Sequence, residues 1–292
     1  MNEESYDELI AREAAHWGAV GAGERDPQIW DDERMFALFF GDRYEQFLRT
    51  ALSAGPRILE LGCGGGGTAL ALAARGARVT GIDLSAARIE GAVAEATRRG
   101  LGAEFVVGDL NRMPLPGKPY DAVVAHDALH HILELGGLLD RVREALVPGG
   151  RLVVMDFAGM GRIRKLAAAG LFAVLPTHRP YREKWMLRRR LASFLAPEAR
   201  KRESLARGTA EGLHDSSPFE EISGPSIHRE IASRFTVEEY ATFCPFWYYL
   251  APKLSLPAPL RMPVARTLRA MDAAMTLVRP HSGAYILITA RT

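Results

Sequence analysis

Two cysteines in 292 residues, Cys63 and Cys244, are too few for a disulfide framework or a thiolate metal cage. Both stand in apolar or glycine-rich surroundings and read as reduced thiols. No stretch of about 18 apolar residues occurs, so no transmembrane helix is expected. The opening sequence MNEESYDELIAREAAHW is acidic and lacks a basic segment followed by an apolar one, which argues against a secretory leader and for a cytoplasmic location. Net charge is nearly absent: 37 Lys and Arg stand against 35 Asp and Glu, leaving +2. No Gly-x-x-x-x-Gly-Lys-Ser/Thr segment is found, which excludes a P-loop nucleotidase. Internal repeats and low-complexity tracts are missing as well.

What is present is the balance of a globular chain, 48% hydrophobic and 25% charged. The length is about twice the roughly 150-residue norm for one domain, and one core with appended helical segments accounts for it better than two independent units. The small net charge conceals two blocks of opposite sign. Residues 1–33 hold ten acids and two arginines, while residues 160–210 hold thirteen Lys or Arg and three Glu. Such blocks either face each other or leave the basic one to attract an anionic substrate, carrier or surface.

Between Pro56 and Phe157 short Val-, Ile- and Leu-rich runs alternate with helical stretches, the pattern of βαβ units and a parallel sheet. The expected strands are residues 57–61, 78–82, 104–107, 120–125 and 151–157, each reading as buried on both faces. Helices are expected over 68–75, 85–99 with Ser85 as N-cap, and 136–146, with Gly76 and Gly100 ending the first two. Residues 284–290 and 234–243 read as an antiparallel pair that completes a seven-stranded mixed sheet. Residues 158 to about 225 break the alternation with a helical run (162–175) and an Arg-rich helix (182–195), and read as an insertion. Helices are also expected over 11–17, 31–49 and 264–278, with an irregular proline-rich crossing over 250–263.

The strongest local signal is ILELGCGGGGTALALAARGARVTGIDLS, residues 58–85. Gly62-x-Gly64-x-x-Gly67 follows a strand and opens a helix, the context of a nucleotide-binding loop, and Asp83 ends the next strand where a carboxylate can take both ribose hydroxyls. Glu60, two residues before the first glycine, points its charge into the place a pyrophosphate would occupy. Two negative groups a few Å apart in a poorly solvated cleft cost on the order of kilocalories per mole. A cationic ligand fits better, and S-adenosylmethionine, with a sulfonium and an α-ammonium, is the ligand this reading selects.

The chain here resembles the class I S-adenosylmethionine-dependent methyltransferases of the small-molecule type. The resemblance runs from the ELGCGxG segment through Val107-Gly108-Asp109-Leu110, Tyr120-Asp121-Ala122-Val123-Val124, Leu129-His130-His131-Ile132 and Leu146-Val147-Pro148-Gly149-Gly150-Arg151-Leu152, in family order and spacing over roughly residues 55–157. It implies a Rossmann-like α/β fold with an N-terminal helical lid over 1–50, a cofactor core over 51–157, a basic helical insertion over 158–225 that closes on the acceptor, and completion of the sheet by 226–292. It also implies that Gly62, Cys63 and Gly64 bring backbone to S-adenosylmethionine and its product S-adenosylhomocysteine. Asp83 would take the ribose, Leu84 would pack on the adenine, and Asp109 would accept from the adenine amino group, with Gly108 and Leu110 beside it. Pro148-Gly149-Gly150 would be a tight turn before the fifth strand.

Ala125-His126-Asp127-Ala128-Leu129-His130-His131 leaves the carboxyl end of the fourth strand, the ligand side of an open α/β sheet. Three of the eight histidines lie there. A hydroxyl acceptor gains from a base that titrates near neutrality, which makes His131 the first candidate and His126 the second, with Asp127 available to hold a ring nitrogen. Both rings have a plainer reading, packing beside the cofactor or capping the next helix, and His130 reads as structural. A divalent-metal site on Asp127 and Asp156 lacks the paired Asp-Asn or Asp-Asp that hard cations need, so no metal is expected.

The expected acceptor is a small molecule, methylated at oxygen, with nitrogen as the alternative. The Arg-rich insertion suggests an anionic or carrier-linked acceptor, or contact with a lipid headgroup surface. A nucleic-acid methyltransferase is the rival this basic segment raises, but no Asn-Pro-Pro-Tyr-like motif or added binding module accompanies it, so no nucleic-acid partner is expected. A non-methylating S-adenosylmethionine-binding protein and a nicotinamide-dependent enzyme are the remaining alternatives.

Overall fold

A computed structural model describes residues 3–19, 27–117, 119–186, 219 and 222–292. In chain order the elements are helices α1 (Glu3–Ala19) and α2 (Glu33–Ala54), strand β1 (Arg57–Leu61), α3 (Gly67–Ala73), β2 (Arg78–Asp83), α4 (Ala86–Arg99), β3 (Ala103–Val107), β4 (Tyr120–His126), α5 (Leu135–Ala145) and β5 (Leu146–Phe157). Then follow α6 (Arg162–Val174), α7 (Tyr181–Met186), α8 (Ile227–Ala232), β6 (Thr236–Phe243), α9 (Trp247–Leu250), α10 (Ala258–Val278) and β7 (Tyr285–Arg291). The seven strands form one sheet in the order β3-β2-β1-β4-β5-β7-β6. The first five run parallel, and β7 is antiparallel to both β5 and β6. This is the seven-stranded mixed α/β sheet that the sequence pattern predicts.

Strand residues alternate between two cores because successive side chains leave opposite faces of a pleated strand. Ile58, Val79, Val124, Val153 and Leu287 pack under Phe39, Phe47, Leu72 and Leu268 from α2, α3 and α10. Their neighbours Leu59, Val123, Val154 and Ile288 pack against Leu138, Leu139, Val142 and Ile231 from α5 and α8. Burial of each such side chain is worth roughly 1.5–3 kcal/mol, and a strand buried on both faces gathers it at every position. Ser85 caps α4, and Gly100 closes it in the left-handed region.

Three boundaries differ from expectation. Pro148–Gly150 lies inside β5 instead of preceding it: Gly149 takes φ +76°, and the register with β4 shifts between Tyr120 and Ala122. A bulge at a left-handed glycine lets the ladder continue through the turn motif. Helix α10 begins at Ala258, because Pro259 falls in the first turn, where backbone N–H groups have no helical partner, and Pro263 is tolerated within the helix. Helix α1 extends back to Glu3, with Tyr6, Leu9 and Glu13 buried along one stripe. The basic clusters Arg188-Arg189-Arg190 and Arg200-Lys201-Arg202, and the later part of the expected 182–195 helix, lie outside the described residues. Among the described residues no helix is long and apolar enough to cross a membrane.

Between β1 and β4 the strand order reverses direction: β1 leads outward to β2 and β3, β4 the other way to β5. Loops leaving the carboxyl ends of β1 and β4 therefore diverge and open a crevice, the usual ligand position in such sheets.

Candidate active site

The crevice is built on glycine geometry. Gly62, Gly64 and Gly66 all adopt positive φ (69°, 52° and 82°). A Cβ on Gly62 would stand 2.4 Å from the Cβ of Ala128, so only glycine lets the β1 and β4 loops approach this closely. The loop is tied back by Cys63 N–H to the Ile82 carbonyl (2.8 Å) and by Gly64 N–H to Asp83 Oδ2 (2.7 Å), while Asp83 Oδ1 accepts from Ser85 N–H (2.9 Å). Each Asp83 oxygen thus holds one backbone amide and keeps a lone pair for a ligand. Burial, with Glu60 and Asp83 adding to it, pushes the Cys63 thiol well above its ordinary range, so it stays protonated. The Arg88 guanidinium of α4 lies against Gly64 and 5.3 Å from the Trp17 ring.

Glu60 is 2% exposed. Burial, opposed by hydrogen bonds from Ala69 and Thr68 and reinforced by Asp83, pushes its carboxyl up to about 8, and Oε2 has no hydrogen-bond partner among the described residues. An orphaned oxygen on a buried acid is costly, and a cationic N–H donor supplies what it lacks. The residues present therefore fit the ammonium end of S-adenosylmethionine, with the glycine cradle and Asp83 beside it.

Asp109, past β3, accepts from Asn111 N–H (2.9 Å) and Asn111 Nδ2 (3.0 Å) through Oδ1, and from the Tyr6 hydroxyl (2.5 Å) through Oδ2. Burial, followed by this bond, raises the Tyr6 phenol. A cavity of about 260 Å³ adjoins this corner, lined by Tyr6, Asn111, Arg112, Leu133 and Glu134. Asn111 Oδ1 accepts from Leu133 and Glu134 N–H, joining the loops after β3 and β4. Helix α1 crosses the same opening: Asp7 pairs with Arg112, Tyr6 reaches Asp109, and Trp17 meets Arg88 and the His131 ring (centroids 5.1 Å).

The turn after β4 depends on one side chain. Asp156, 0% exposed, accepts from Ala128 and Leu129 N–H (3.0 and 2.7 Å) through Oδ2 and from Phe157 N–H (2.8 Å) through Oδ1, which also meets His130 Nδ1 at 2.6 Å. The His130 ring beside it and these backbone bonds hold the carboxyl below its ordinary range against the opposing effect of burial. Asp127, His130 and Asp156 offer ligand-type atoms within 4.8 Å of one another, but N–H groups and the imidazole already meet both Asp156 oxygens, which suits a structural tie better than a hard cation. Asp127 itself sits at φ +51°.

The histidines separate in role. His126 follows Ala122 and Val124 onto the α2 face of β4, where Trp30, Phe36, Tyr44 and Phe47 surround it. Burial drives its pKa down to about 4, so the ring is neutral at pH 7. Its Nδ1 is 3.4 Å from Thr68 Oγ1, and its Nε2 is 4.0 Å from Asp127, too far for a hydrogen bond. His131 Nδ1 lies 3.3 Å from Glu13 Oε1 on α1. That oxygen also accepts from Trp17 Nε1 (2.7 Å), and Oε2 meets Phe219 N–H (3.4 Å). The carboxylate facing His131 is thus Glu13 and not Asp127. Sequence reasoning passed over Glu13 because it lies far off in the chain; the available signal was an acid on the buried stripe Tyr6, Leu9, Glu13. Leu84 is half-buried after β2, and Gly108 N–H donates to the Asp83 carbonyl (2.9 Å), next to buried Leu110.

This sheet order with a glycine loop at its switch point defines the class I methyltransferase fold. Residues 58–150 match the family described as "Methyltransferase domain", and this part of the chain is a class I S-adenosylmethionine-dependent methyltransferase domain. A sterol 24-C-methyltransferase of Gibberella zeae is 35% identical over 39% of this chain and 32% of its own length. A 27-O-demethylrifamycin SV methyltransferase of Amycolatopsis mediterranei is 35% identical over 44% of this chain and 49% of its own. The chain thus spans half or less of the length of these curated relatives. The [4+2]-cyclase SpnF superposes over 99% of this chain and 95% of that chain with a TM-score of 0.51 at 17% identity, a likeness of fold alone. A fold shared with a protein named for cyclisation leaves the chemistry to the site residues.

Proposed function

We propose that this protein transfers a methyl group from S-adenosylmethionine to a hydroxyl of a small-molecule acceptor, with His131 as general base. The observation that carries the reading is Glu60, a buried acid whose Oε2 is unmet among the described residues at the glycine loop, which a cationic cofactor would hold ionised and satisfy and a pyrophosphate would not. When bound, S-adenosylmethionine supplies a methyl carbon already activated by the sulfonium charge. The protein's task is therefore to position, exclude water and accept a proton.

Glu60 accepts from the ammonium, the lone pairs of Asp83 left by Gly64 and Ser85 accept from the ribose, and Asp109 accepts from the adenine amino group. Residues 1–50 serve as a lid: α1 covers the crevice with Tyr6 at the adenine end and Trp17 at the reacting end. With Nδ1 of His131 turned to Glu13, the base is Nε2, which takes the acceptor's hydroxyl proton as the oxygen attacks. Glu13 is a positioning residue that holds the ring and stabilises the imidazolium that results. His126, kept neutral by burial, forms an uncharged wall of the acceptor space with Trp30 and Tyr44. Oxygen is preferred over carbon because a positioned imidazole helps a high-pKa hydroxyl most, and the 27-O-methyltransferase relative is in keeping with this. The basic insertion over 158–225 supports an anionic or carrier-linked acceptor.

Calorimetric titration with S-adenosylmethionine, S-adenosylhomocysteine and NAD tests the cofactor. Binding of both sulfur ligands at about micromolar Kd and none of NAD is expected, and NAD binding without the sulfur ligands would sink the reading. Given a hydroxyl acceptor found by screening with labelled methyl donor, His131→Ala should lower methyl transfer by about 10²–10⁴-fold and leave S-adenosylhomocysteine affinity within about twofold. Unchanged transfer removes His131 as the base.

A further inference from the structure

At the far end of β5 the chain leaves the sheet through Ala158 and Gly159 toward α6. The segment before α8 and the segment before β7 close around this exit, with Tyr240 of β6 between them. Together they enclose a recess of about 280 Å³, close to the roughly 300 Å³ at which small-ligand sites begin. Arg164, His228, His281 and Tyr240 project around it, and none of the described residues lining it is an acid. The Arg164 Nη1 group donates to the carbonyls of Pro245 and Ser282, which fixes the guanidinium in place. Its Nε and Nη2 groups have no partner among the described residues. The His228 and His281 rings flank Tyr240 with centroids 4.3 and 6.1 Å away, the second nearly parallel to it.

We infer that this recess binds the phosphate group of a small molecule. A half-buried guanidinium with open donors, flanked by two imidazoles and a phenol, offers an anion several N–H and O–H donors with no acid among the described lining residues; the acid that acts on Arg164 is buried Asp272, outside that lining. A planar carboxylate is satisfied by the Arg fork alone, whereas a tetrahedral phosphate has oxygens for the fork and for the histidines at once. The volume leaves room for the group that carries the phosphate. Gly224 forms the wall toward the crevice: a Cβ there would stand 2.9 Å from the Phe157 carbonyl and 3.6 Å from the His130 Cβ. The recess therefore stands back to back with the turn that carries His131, and its assignment does not rest on methyl transfer.

The test is calorimetric titration of the whole chain with inorganic pyrophosphate, with citrate as the carboxylate control and phosphatidylglycerol vesicles as the lipid control. One pyrophosphate per chain is expected, with citrate at least about tenfold weaker and no vesicle binding. Arg164→Gln should weaken pyrophosphate by about tenfold or more. Because Arg164 also holds two carbonyls, that variant can fail to fold. His228→Gln combined with His281→Gln, at two exposed positions, should weaken pyrophosphate by about tenfold while leaving S-adenosylhomocysteine affinity unchanged. No saturation by about 10 mM pyrophosphate, an unchanged affinity in the histidine pair, equal citrate binding, or binding to vesicles alone would each overturn the assignment.

Discussion

Asp83, under the function proposed above, is a single carboxylate that would serve both structure and ligand. Its two oxygens hold Gly64 N–H and Ser85 N–H, one on each side of the crevice, and so fix the loop whose backbone would face the cofactor. Asp83→Ala leaves two buried amides unmet at about 1–3 kcal/mol each, and would also remove the proposed ribose acceptor. A loss of at least about tenfold in S-adenosylhomocysteine affinity by calorimetry is expected, and affinity within twofold of the parent would remove the ribose role. Asp83 and Glu60 were legible in the sequence because strand ends and a glycine loop locate them within a few residues. Glu13 was not: its meeting with His131 joins α1 to the turn after β4, and chain spacing carries no trace of such a contact. Tyr6 on Asp109 escaped notice for the same reason.

At the scale of elements, the turn between β4 and α5 reads from the sequence as chemistry, since His126, Asp127, His130 and His131 crowd into it. Half of that crowd is scaffold. Asp156 at the end of β5 gathers Ala128, Leu129, Phe157 and His130 onto one carboxylate, and this array sets the direction in which His131 leaves the turn. Asparagine cannot replace it, because an amide nitrogen would face either two N–H donors or the N–H and imidazole on the other side. Asp156→Asn should destabilise the protein by about 3–5 kcal/mol in urea unfolding, the cost of breaking a buried, hydrogen-bonded pair. A loss below about 1 kcal/mol would mean that the turn is held by its backbone alone. The same scale explains the bounds of α1. Propensity marked only 11–17, whereas packing of Leu9 against Phe219 and Ile222, and the bond of Tyr6 to Asp109, extend the helix to Glu3.

For the whole molecule, the buried acids set how stability follows pH. Glu60 is raised to about 8 and Asp272, which accepts from Phe246, Trp247 and Tyr248 N–H, to about 6, both chiefly by burial. A raised carboxyl favours the folded state in its protonated form, so its stabilisation is complete below the unfolded pKa and is lost as pH rises through the folded one. For Asp272 that loss is over near pH 6. His126, lowered to about 4, acts in the opposite sense, its contribution being full above the unfolded value near 6.5 and lost as pH falls toward 4. Between pH 6.5 and 8 Glu60 is left to act, and the ligand-free protein should lose about 2 kcal/mol across that interval. Glu60→Gln should flatten this limb in thermal unfolding, as should saturating S-adenosylhomocysteine, whose ammonium would meet the carboxylate. A limb unchanged by both would place the titrating group elsewhere. The sequence by itself determined the strand order's raw material, the glycine loop, and Asp83 and Glu60 beside it, because alternation of buried strands and tight-turn glycines are local demands on a chain. Only the tertiary structure decided that His131 faces Glu13 while His130 faces Asp156, that Asp156 gathers the backbone of the turn after β4, and that Arg164, His228 and His281 share one recess. Those contacts join segments far apart in sequence, and their energies depend on burial, which no single segment possesses before the sheet is assembled.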